Sequence, residues 1–245
     1  MPMTTEPLPA YRALPIAECG DPLVAIPADA FAFTDPHPYM AFGAPYGNAS
    51  PWMLRRRVLD ALLDAQARLS AHSPGWRLKL FDAYRPVAVQ AFMVWREFRQ
   101  QAERAGRPLD GVRSPEELAA RDPGYYRRLA AVVFRFWGVP SEDPRTPPPH
   151  STGAAVDLTL QDAAGRETDM GCPIDETSER AYPDFFAASP EPALRAIHAR
   201  RELLNRVMAA AGFNRHANEW WHFSLGDQMA ACARGEPAAL YGRAQ

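Results

Sequence analysis

Lysine and cysteine are scarce in this chain. Lys79 is the only lysine, so the 27 basic residues are nearly all arginines, which we interpret as compositional bias and not as a binding patch. The net charge of −2 gives no electrostatic basis for binding nucleic acid or an anionic membrane. The three cysteines (Cys19, Cys172 and Cys232) are far apart and form no CxxC pair, which argues against a disulfide framework or a cysteine-rich zinc site. They fit a reducing compartment.

Long apolar runs are also missing. No window approaches the roughly 18 apolar residues of a membrane-spanning helix. Residues 1–15 contain no apolar segment of the kind found in signal peptides. We therefore expect a cytoplasmic protein with no membrane partner. The sequence carries no signal for a particular oligomeric state.

The remaining composition is that of an ordinary globular protein. With 245 residues, 47% of them hydrophobic and 23% charged, the chain can bury a sizeable core. Residues 1–30 are proline-rich and lack clear periodicity, which predicts an irregular N-terminal extension along the surface. Residues 31–245 are predicted to form one folded domain.

Apolar spacing predicts four helices. They cover residues 50–69, 86–105, 114–137 and 189–212. The first is expected to begin at Ser50–Pro51 and the fourth at Ser189–Pro190, because serine caps a helix and proline fits its first turn. The third is expected to break near Pro123–Gly124, and Gly212 is expected to end the fourth.

Three segments alternate as strands do: Arg77–Tyr84, Ala155–Leu160 and Trp221–Leu225. In the last two, apolar residues face one way, whereas Asp157 and His222 face the other. Strands and helices without regular alternation predict an α+β fold, a single domain with a mainly antiparallel central sheet flanked by helices. Asp157 and His222 would then share the polar face of that sheet.

His150, Asp157 and His222 are the candidate metal ligands. Two imidazoles and a carboxylate can hold zinc and leave one position open for water. Gly153 allows a sharp turn that would direct His150 towards Asp157, and a buried carboxylate needs a partner to offset its desolvation. Taken alone, His150 and Asp157 would more often be a solvated or capping pair, but the face that Asp157 shares with His222 favours a metal site.

Glu219 and Arg85 are the candidate catalytic residues. Zinc lowers the pKa of its water to about 7, and Glu219 could take a proton from that water and pass it to a leaving amine. Arg85 stands between a predicted strand and a helix that starts at Pro86, so it could point into a cleft and stabilise the oxyanion of a tetrahedral intermediate. Considered on its own, Arg85 would more simply be a surface arginine paired with an acid.

Four short motifs follow one another along the chain. They are Phe81–Pro86 (FDAYRP), His150–Leu160 (HSTGAAVDLTL), Asp169–Asp175 (DMGCPID) and Glu219–His222 (EWWH). Together they resemble the zinc D-alanyl-D-alanine dipeptidases, which are known from vancomycin resistance and the use of cell-wall dipeptides. The resemblance extends roughly from residue 39 to residue 225.

The resemblance implies a catalytic domain with one zinc ion per chain and a small dipeptide as substrate, D-alanyl-D-alanine first of all. The implied zinc ligands are His150, Asp157 and His222, with Glu219 as catalytic base and Arg85 as the cation at the transition state.

Asp175 is implied by the same resemblance to bind the free ammonium group of the substrate. An anion at a fixed distance from the metal would select peptides by the position of their amino terminus. One departure concerns Pro148, which stands where the family usually has a serine of the substrate-binding wall. This departure leaves the preferred dipeptide open.

Two other functions remain compatible with the sequence. One is a zinc L,D- or D,D-carboxypeptidase that trims peptidoglycan peptides, and Asp175 favours the dipeptidase over it. The other is a non-catalytic binding domain stabilised by zinc, which would need neither Glu219 nor Arg85. His216 is interpreted as a loop histidine. The other histidines are interpreted as surface or packing residues: His37, His72 and His198.

Overall fold

The computed structural model describes residues 9–244, which form a single α+β domain. Its α-helices are α1 (Pro38–Ala41), α2 (Arg56–His72), α3 (Val87–Arg104), α4 (Pro115–Arg121), α5 (Pro123–Phe136), α6 (Pro192–Ala210) and α7 (Gln228–Ala233). Its strands are β1 (Leu23–Ala25), β2 (Ala32–Phe33), β3 (Met53–Arg55), β4 (Arg77–Asp82), β5 (Ala155–Gln161), β6 (Asn214–Arg215) and β7 (His222–Ser224). Within residues 9–244, no helix has both the length and the apolar character needed to cross a membrane.

The central sheet has five strands in the order β2-β4-β5-β7-β6. Only β2 and β4 run parallel, and the other three pairs are antiparallel. The prediction of a mainly antiparallel sheet in an α+β domain is therefore confirmed. A separate two-stranded sheet joins β1 to β3.

One face of the sheet carries the larger core. Its apolar side chains pack with those of α2 and α6, and the group includes Leu62, Leu69, Leu78, Leu80, Val156, Leu158, Leu204 and Phe223. Burying each such side chain fully contributes about 1.5–3 kcal/mol. A second core holds α3, α4 and α5 together around Phe98, Tyr126 and Val133. Helices therefore flank the sheet in two separate groups.

The predicted starts of two helices are wrong. The segment from Ser50–Pro51 does not enter a helix, because Met53–Arg55 pairs with β1 as strand β3 and α2 begins only at Arg56. The Ser50 hydroxyl accepts a hydrogen bond from the Trp52 amide at 3.1 Å and caps no helix. The fourth helix, α6, begins at Pro192 with Glu191 as its N-cap residue, two positions after the predicted Pro190.

The other helix signals are confirmed. Helix α3 follows Pro86 directly and ends one residue before the predicted limit. The Ser114 hydroxyl caps α4 by accepting from the Glu117 amide at 3.2 Å. The helical segment is interrupted before Pro123 as expected. The Asp122 side chain caps α5 by accepting a hydrogen bond from the Tyr125 amide at 2.9 Å. A polar cap followed by proline thus marks both of these starts.

Candidate metal centre

Two neighbouring strands and one turn bring His150, Asp157 and His222 together. Asp157 of β5 lies directly opposite His222 of β7 in the sheet register. The Asp157 Oδ1 to His222 Nδ1 distance is 3.0 Å. His150 lies in the short 3-10 helix Pro149–Thr152, and its Nε2 is 3.1 Å from His222 Nδ1 and 3.2 Å from Asp157 Oδ2. All three side chains are buried, so the polar face predicted for the sheet is covered by protein here.

Gly153 makes the turn between His150 and β5 possible. Its φ is +71°, a left-handed conformation that costs glycine little. A Cβ at this position would lie 2.5 Å from Leu23 Cδ1. The backbone conformation and the close approach of β1 both require glycine, and the turn can therefore direct His150 towards β5.

The position of the proton on His150 fits a cation bound between His150 and Asp157. The His150 Nδ1 lies 2.7 Å from the Ala83 carbonyl oxygen, which only accepts, so Nδ1 carries a proton. In the neutral ring His150 Nε2 then presents a lone pair to the Asp157 carboxylate. Two electron-pair donors at this distance repel each other unless a proton or a metal ion lies between them. A tetrahedral zinc ion with bonds of about 2.0–2.2 Å holds its ligands about 3.4 Å apart, close to the observed spacing.

The charge of Asp157 is compatible with a metal ligand. Burial opposes its ionised form, but positive charge on His150 and His222 when they are protonated, together with hydrogen bonds from both rings, outweighs burial and lowers the pKa of Asp157. A cation bound between neutral rings would act in the same direction. The carboxylate is therefore ionised at neutral pH. Together, His150, Asp157 and His222 form a group of ligand atoms that could hold one metal ion.

Glu219 lies beside this group without joining it. Its Oε2 is 3.9 Å from His222 Nδ1, and its Oε1 is 3.8 Å from His216 Nδ1. Burial raises the pKa of Glu219 well above its ordinary value, and the charges of Asp157 and Asp175 raise it further. Burial and the neighbouring His222 lower the pKa of His216 to about 3, so His216 is neutral there.

A β-bulge places Asp82 next to the same group. The register of β4 against β5 shifts between Leu80 and Asp82, so Asp82 and not Phe81 lies opposite Asp157. Asp82 is fully buried, and its Oδ1 lies 3.0 Å from His37 Nε2 and accepts from the Tyr46 hydroxyl at 3.1 Å.

Sequence reasoning missed the polar role of these groups. His37 is buried as a packing residue, but its interaction with Asp82 is specific. Neither the bulge nor a contact between residues 45 positions apart has a signal in the alternation pattern.

Arg85 is buried and held in one orientation. Its Nε donates to Asp82 Oδ2 at 2.9 Å, and its Nη1 donates to Gln90 Oε1 at 2.8 Å. Its Nη2 donates to the Tyr39 hydroxyl at 3.1 Å and to Asp157 Oδ2 at 3.2 Å. The alternative of an exposed arginine with a single acidic partner is therefore wrong. These four acceptors hold the guanidinium in one orientation beside Asp157.

Asp175 is linked to Arg85 through Tyr39. The Tyr39 hydroxyl lies 3.1 Å from Asp175 Oδ1 and 3.0 Å from Oδ2. Asp175 is the only non-glycine residue with positive φ among residues 9–244, at +67°. Such a backbone is uncommon outside glycine and occurs often at functional sites. Burial and the charge of Asp157 raise the pKa of Asp175 to about 7.

One cavity of about 510 Å³ joins these groups. Its polar lining comes from Tyr11, Arg85, Gln90, Arg135, His150, Asp157, Asp175, His216, Asn218, Glu219 and His222. A single cavity is therefore lined by the three predicted metal ligands and by Glu219, Arg85 and Asp175. The volume is typical of a small-molecule site.

A second group of side chains of the kinds that bind metals is formed by α6 and the segment before it. The side chains of Asp184, His198 and Glu202 approach one another at the surface. His198, interpreted from the sequence as a surface or packing residue, has a carboxylate one helical turn further on, that of Glu202. Arg215 donates to Glu202 at 2.9 Å and lies 4.0 Å from Asp184, so a cation already neutralises the group.

Comparison with known proteins identifies the relatives of this chain. A sequence model of the family described as D-ala-D-ala dipeptidase matches residues 33–236. A D-alanyl-D-alanine dipeptidase from Synechocystis sp. is 44% identical over 231 residues, covering 91% of this chain and 89% of the relative. The dipeptidase of the same name from Escherichia coli is 32% identical over 71% of this chain and 66% of its own length. One from Enterococcus faecalis is 27% identical over 69% of this chain and 71% of its own length.

Proposed function

The chain belongs to the D-ala-D-ala dipeptidase family of metallopeptidases, and we propose that it hydrolyses D-alanyl-D-alanine with one zinc ion and a glutamate base. One observation carries this proposal. Three ligand atoms converge in a cavity that also contains a buried glutamate and a fixed arginine, neither of which is needed to hold the ion.

His150, Asp157 and His222 are the proposed zinc ligands. Two neutral imidazoles and one carboxylate form a ligand set that suits zinc and leaves part of its coordination free. The bound ion would supply a Lewis acid and a water molecule of lowered pKa. The Ala83 carbonyl holds the proton of His150 Nδ1 and thereby leaves Nε2 free to bind.

Glu219 is the proposed general base. It lies within 4 Å of His222 but makes no shorter contact with a ligand, so its carboxylate is free to accept a proton from the attacking water. The raised pKa of Glu219 suits this role, because a carboxylate of higher pKa is a stronger base towards the proton of the attacking water. The carboxyl group formed in this way can then donate the proton to the leaving amine.

Arg85 and Asp175 are proposed to bind two different groups of the substrate, the attacked carbonyl and the free ammonium group. Arg85 would stabilise negative charge on the oxygen of the attacked carbonyl, since Asp82 and Gln90 already fix its guanidinium. Asp175 would accept the substrate ammonium group. Tyr39 bridges the two and would fix the distance between them.

Release of free alanine from D-alanyl-D-alanine tests the proposed function. We expect the zinc-loaded protein to release it, a chelator to stop the reaction, and added zinc to restore it. A panel of D,D-, L,D- and L,L-dipeptides, with a peptidoglycan pentapeptide as the carboxypeptidase substrate, would define the substrate class. Metal-replete protein that cleaves none of the dipeptides would refute the proposal.

The raised pKa of Asp175 predicts how substrate binding depends on pH. Above pH 7 the carboxyl group is ionised and can hold the ammonium group, whereas below pH 7 it is increasingly neutral. We therefore expect kcat/KM to fall by about tenfold for each unit of pH below about 7. An ordinary aspartate, with a pKa of about 3.9, would add no pH dependence of its own in this range.

Asp175→Asn provides the comparison for the pH measurement. It should raise KM at pH 8 and make the fall in kcat/KM below pH 7 less steep, while zinc content stays the same. A wild-type profile that is flat between pH 5 and pH 7 would contradict the assignment of Asp175 to the ammonium group.

A further inference from the structure

Tyr11 stands in the wall of the candidate cavity, although it lies far outside the region matched by the family model. It belongs to the 3-10 turn Ala10–Ala13 and is half-buried. Together with Pro9 it lines the cavity that contains Glu219 and the proposed zinc ligands. The family match begins at residue 33, so the family model does not cover this part of the cavity wall.

Hydrogen bonds fix the segment that directly follows Tyr11. Gln228 Nε2 donates to the carbonyl oxygens of Arg12 at 3.2 Å and of Leu14 at 2.6 Å. The buried guanidinium of Arg12 donates to the Val139 carbonyl at 2.7 Å. The turn is therefore attached to α7 and to the loop before Pro149.

The chain after Tyr11 is attached to the C-terminal segment. Ala239 donates to the Pro15 carbonyl at 2.9 Å, and Ala17 donates to the Ala239 carbonyl at 2.8 Å. Ala244 in turn donates to the carbonyl oxygen of Ser151, the residue after His150, at 2.9 Å. Two segments outside the family match thus support each other and the turn that carries a proposed ligand.

Tyr11 and Asp175 both line the cavity, but they have different neighbours. Asp175 is bound to Tyr39, which is bound to Arg85. Tyr11 instead has Asp227 and Glu219 as its acidic neighbours. If the ammonium group lies at Asp175 and the scissile bond lies beside Glu219, the leaving residue points towards Tyr11.

We propose that the Tyr11 ring closes the end of the cavity next to Glu219 and excludes peptides with a further residue after the leaving one. This inference rests on the proposed function and names a specificity-determining residue for it. Among the residues that line the cavity, Tyr11 carries the only hydroxyl group, but the proposed role belongs to the ring.

Two tripeptides test this role of Tyr11. D-Ala-D-Ala-Gly extends the substrate beyond the leaving residue, whereas Gly-D-Ala-D-Ala extends it at the ammonium end. Tyr11→Ala should raise kcat/KM for D-Ala-D-Ala-Gly relative to D-Ala-D-Ala by at least about tenfold, the scale set by pocket fit. It should leave the relative rate for Gly-D-Ala-D-Ala unchanged. Tyr11→Phe, which keeps the ring, should restore the wild-type selectivity.

Leu14→Ala is the control for loosening of the segment. Leu14 lies in the same segment and does not line the cavity, so this variant should keep the wild-type ratio. Wild-type protein that cleaves D-Ala-D-Ala, with a ratio that Tyr11→Ala does not change, would overturn this inference alone. An equal rise for both tripeptides would also overturn it. Wild-type protein that cleaves no peptide would overturn the proposed function together with the inference.

Discussion

Glu219→Gln is expected to lower kcat for dipeptide hydrolysis by about 10²- to 10⁴-fold, the contribution of a positioned general base. Glutamine keeps the shape of the side chain but cannot take up the proton. Because Glu219 does not belong to the group of ligand atoms, zinc should remain bound at one ion per chain. Steady-state kinetics and metal analysis of the same preparation measure the two effects.

The physical reason for a large effect is the environment of Glu219. Burial and two neighbouring carboxylates raise the pKa of Glu219, which makes its carboxylate a stronger base than an exposed glutamate. Glu202→Gln is the matched control, because Glu202 is a half-buried glutamate that pairs with Arg215 away from the cavity. It should retain wild-type kcat. A Glu219→Gln protein with bound zinc and full activity would refute the proposed mechanism.

Strand periodicity predicted the part of the site that depends on local rules. Alternation placed Asp157 and His222 on the same face, and antiparallel pairing puts them directly opposite each other. Gly153 was expected to allow a turn, and its positive φ has this effect. These features follow from the two-residue repeat of a strand and from the backbone freedom of glycine. Both can be read from a few neighbouring residues.

Long-range packing decided the features that the sequence did not predict. Asp82 faces Asp157 because of a bulge, and a bulge moves a side chain without changing the residue pattern. Tyr39 and His37 contact Arg85 and Asp82, from which they are more than 40 positions distant in the sequence. Helix α2 begins at Arg56 and not at the predicted Ser50–Pro51, because β1 pairs with the three residues before Arg56. This pairing overrides the capping preference of Ser50.

Asp157→Asn is expected to remove both zinc and activity. Asparagine keeps the size of the side chain but brings no negative charge to the ion. Partners that only orient a metal ligand contribute about 10- to 100-fold in affinity, so the loss of a charged ligand should lower zinc affinity by more than that. Dialysed protein should therefore contain almost no zinc, and dipeptide hydrolysis should fall to background. Calorimetric titration with zinc measures the affinity directly.

Thr159→Val separates this effect from damage to the strand. Thr159 follows Asp157 by two residues on the same face of β5 and is also buried. Among the described residues, its hydroxyl has no hydrogen-bond partner, so valine removes no bond. The control should keep both zinc and activity. If Asp157→Asn bound zinc as tightly as the wild type, the ion would have to be held elsewhere. The convergence of His150, Asp157 and His222 would then need another cause, such as a proton shared between them.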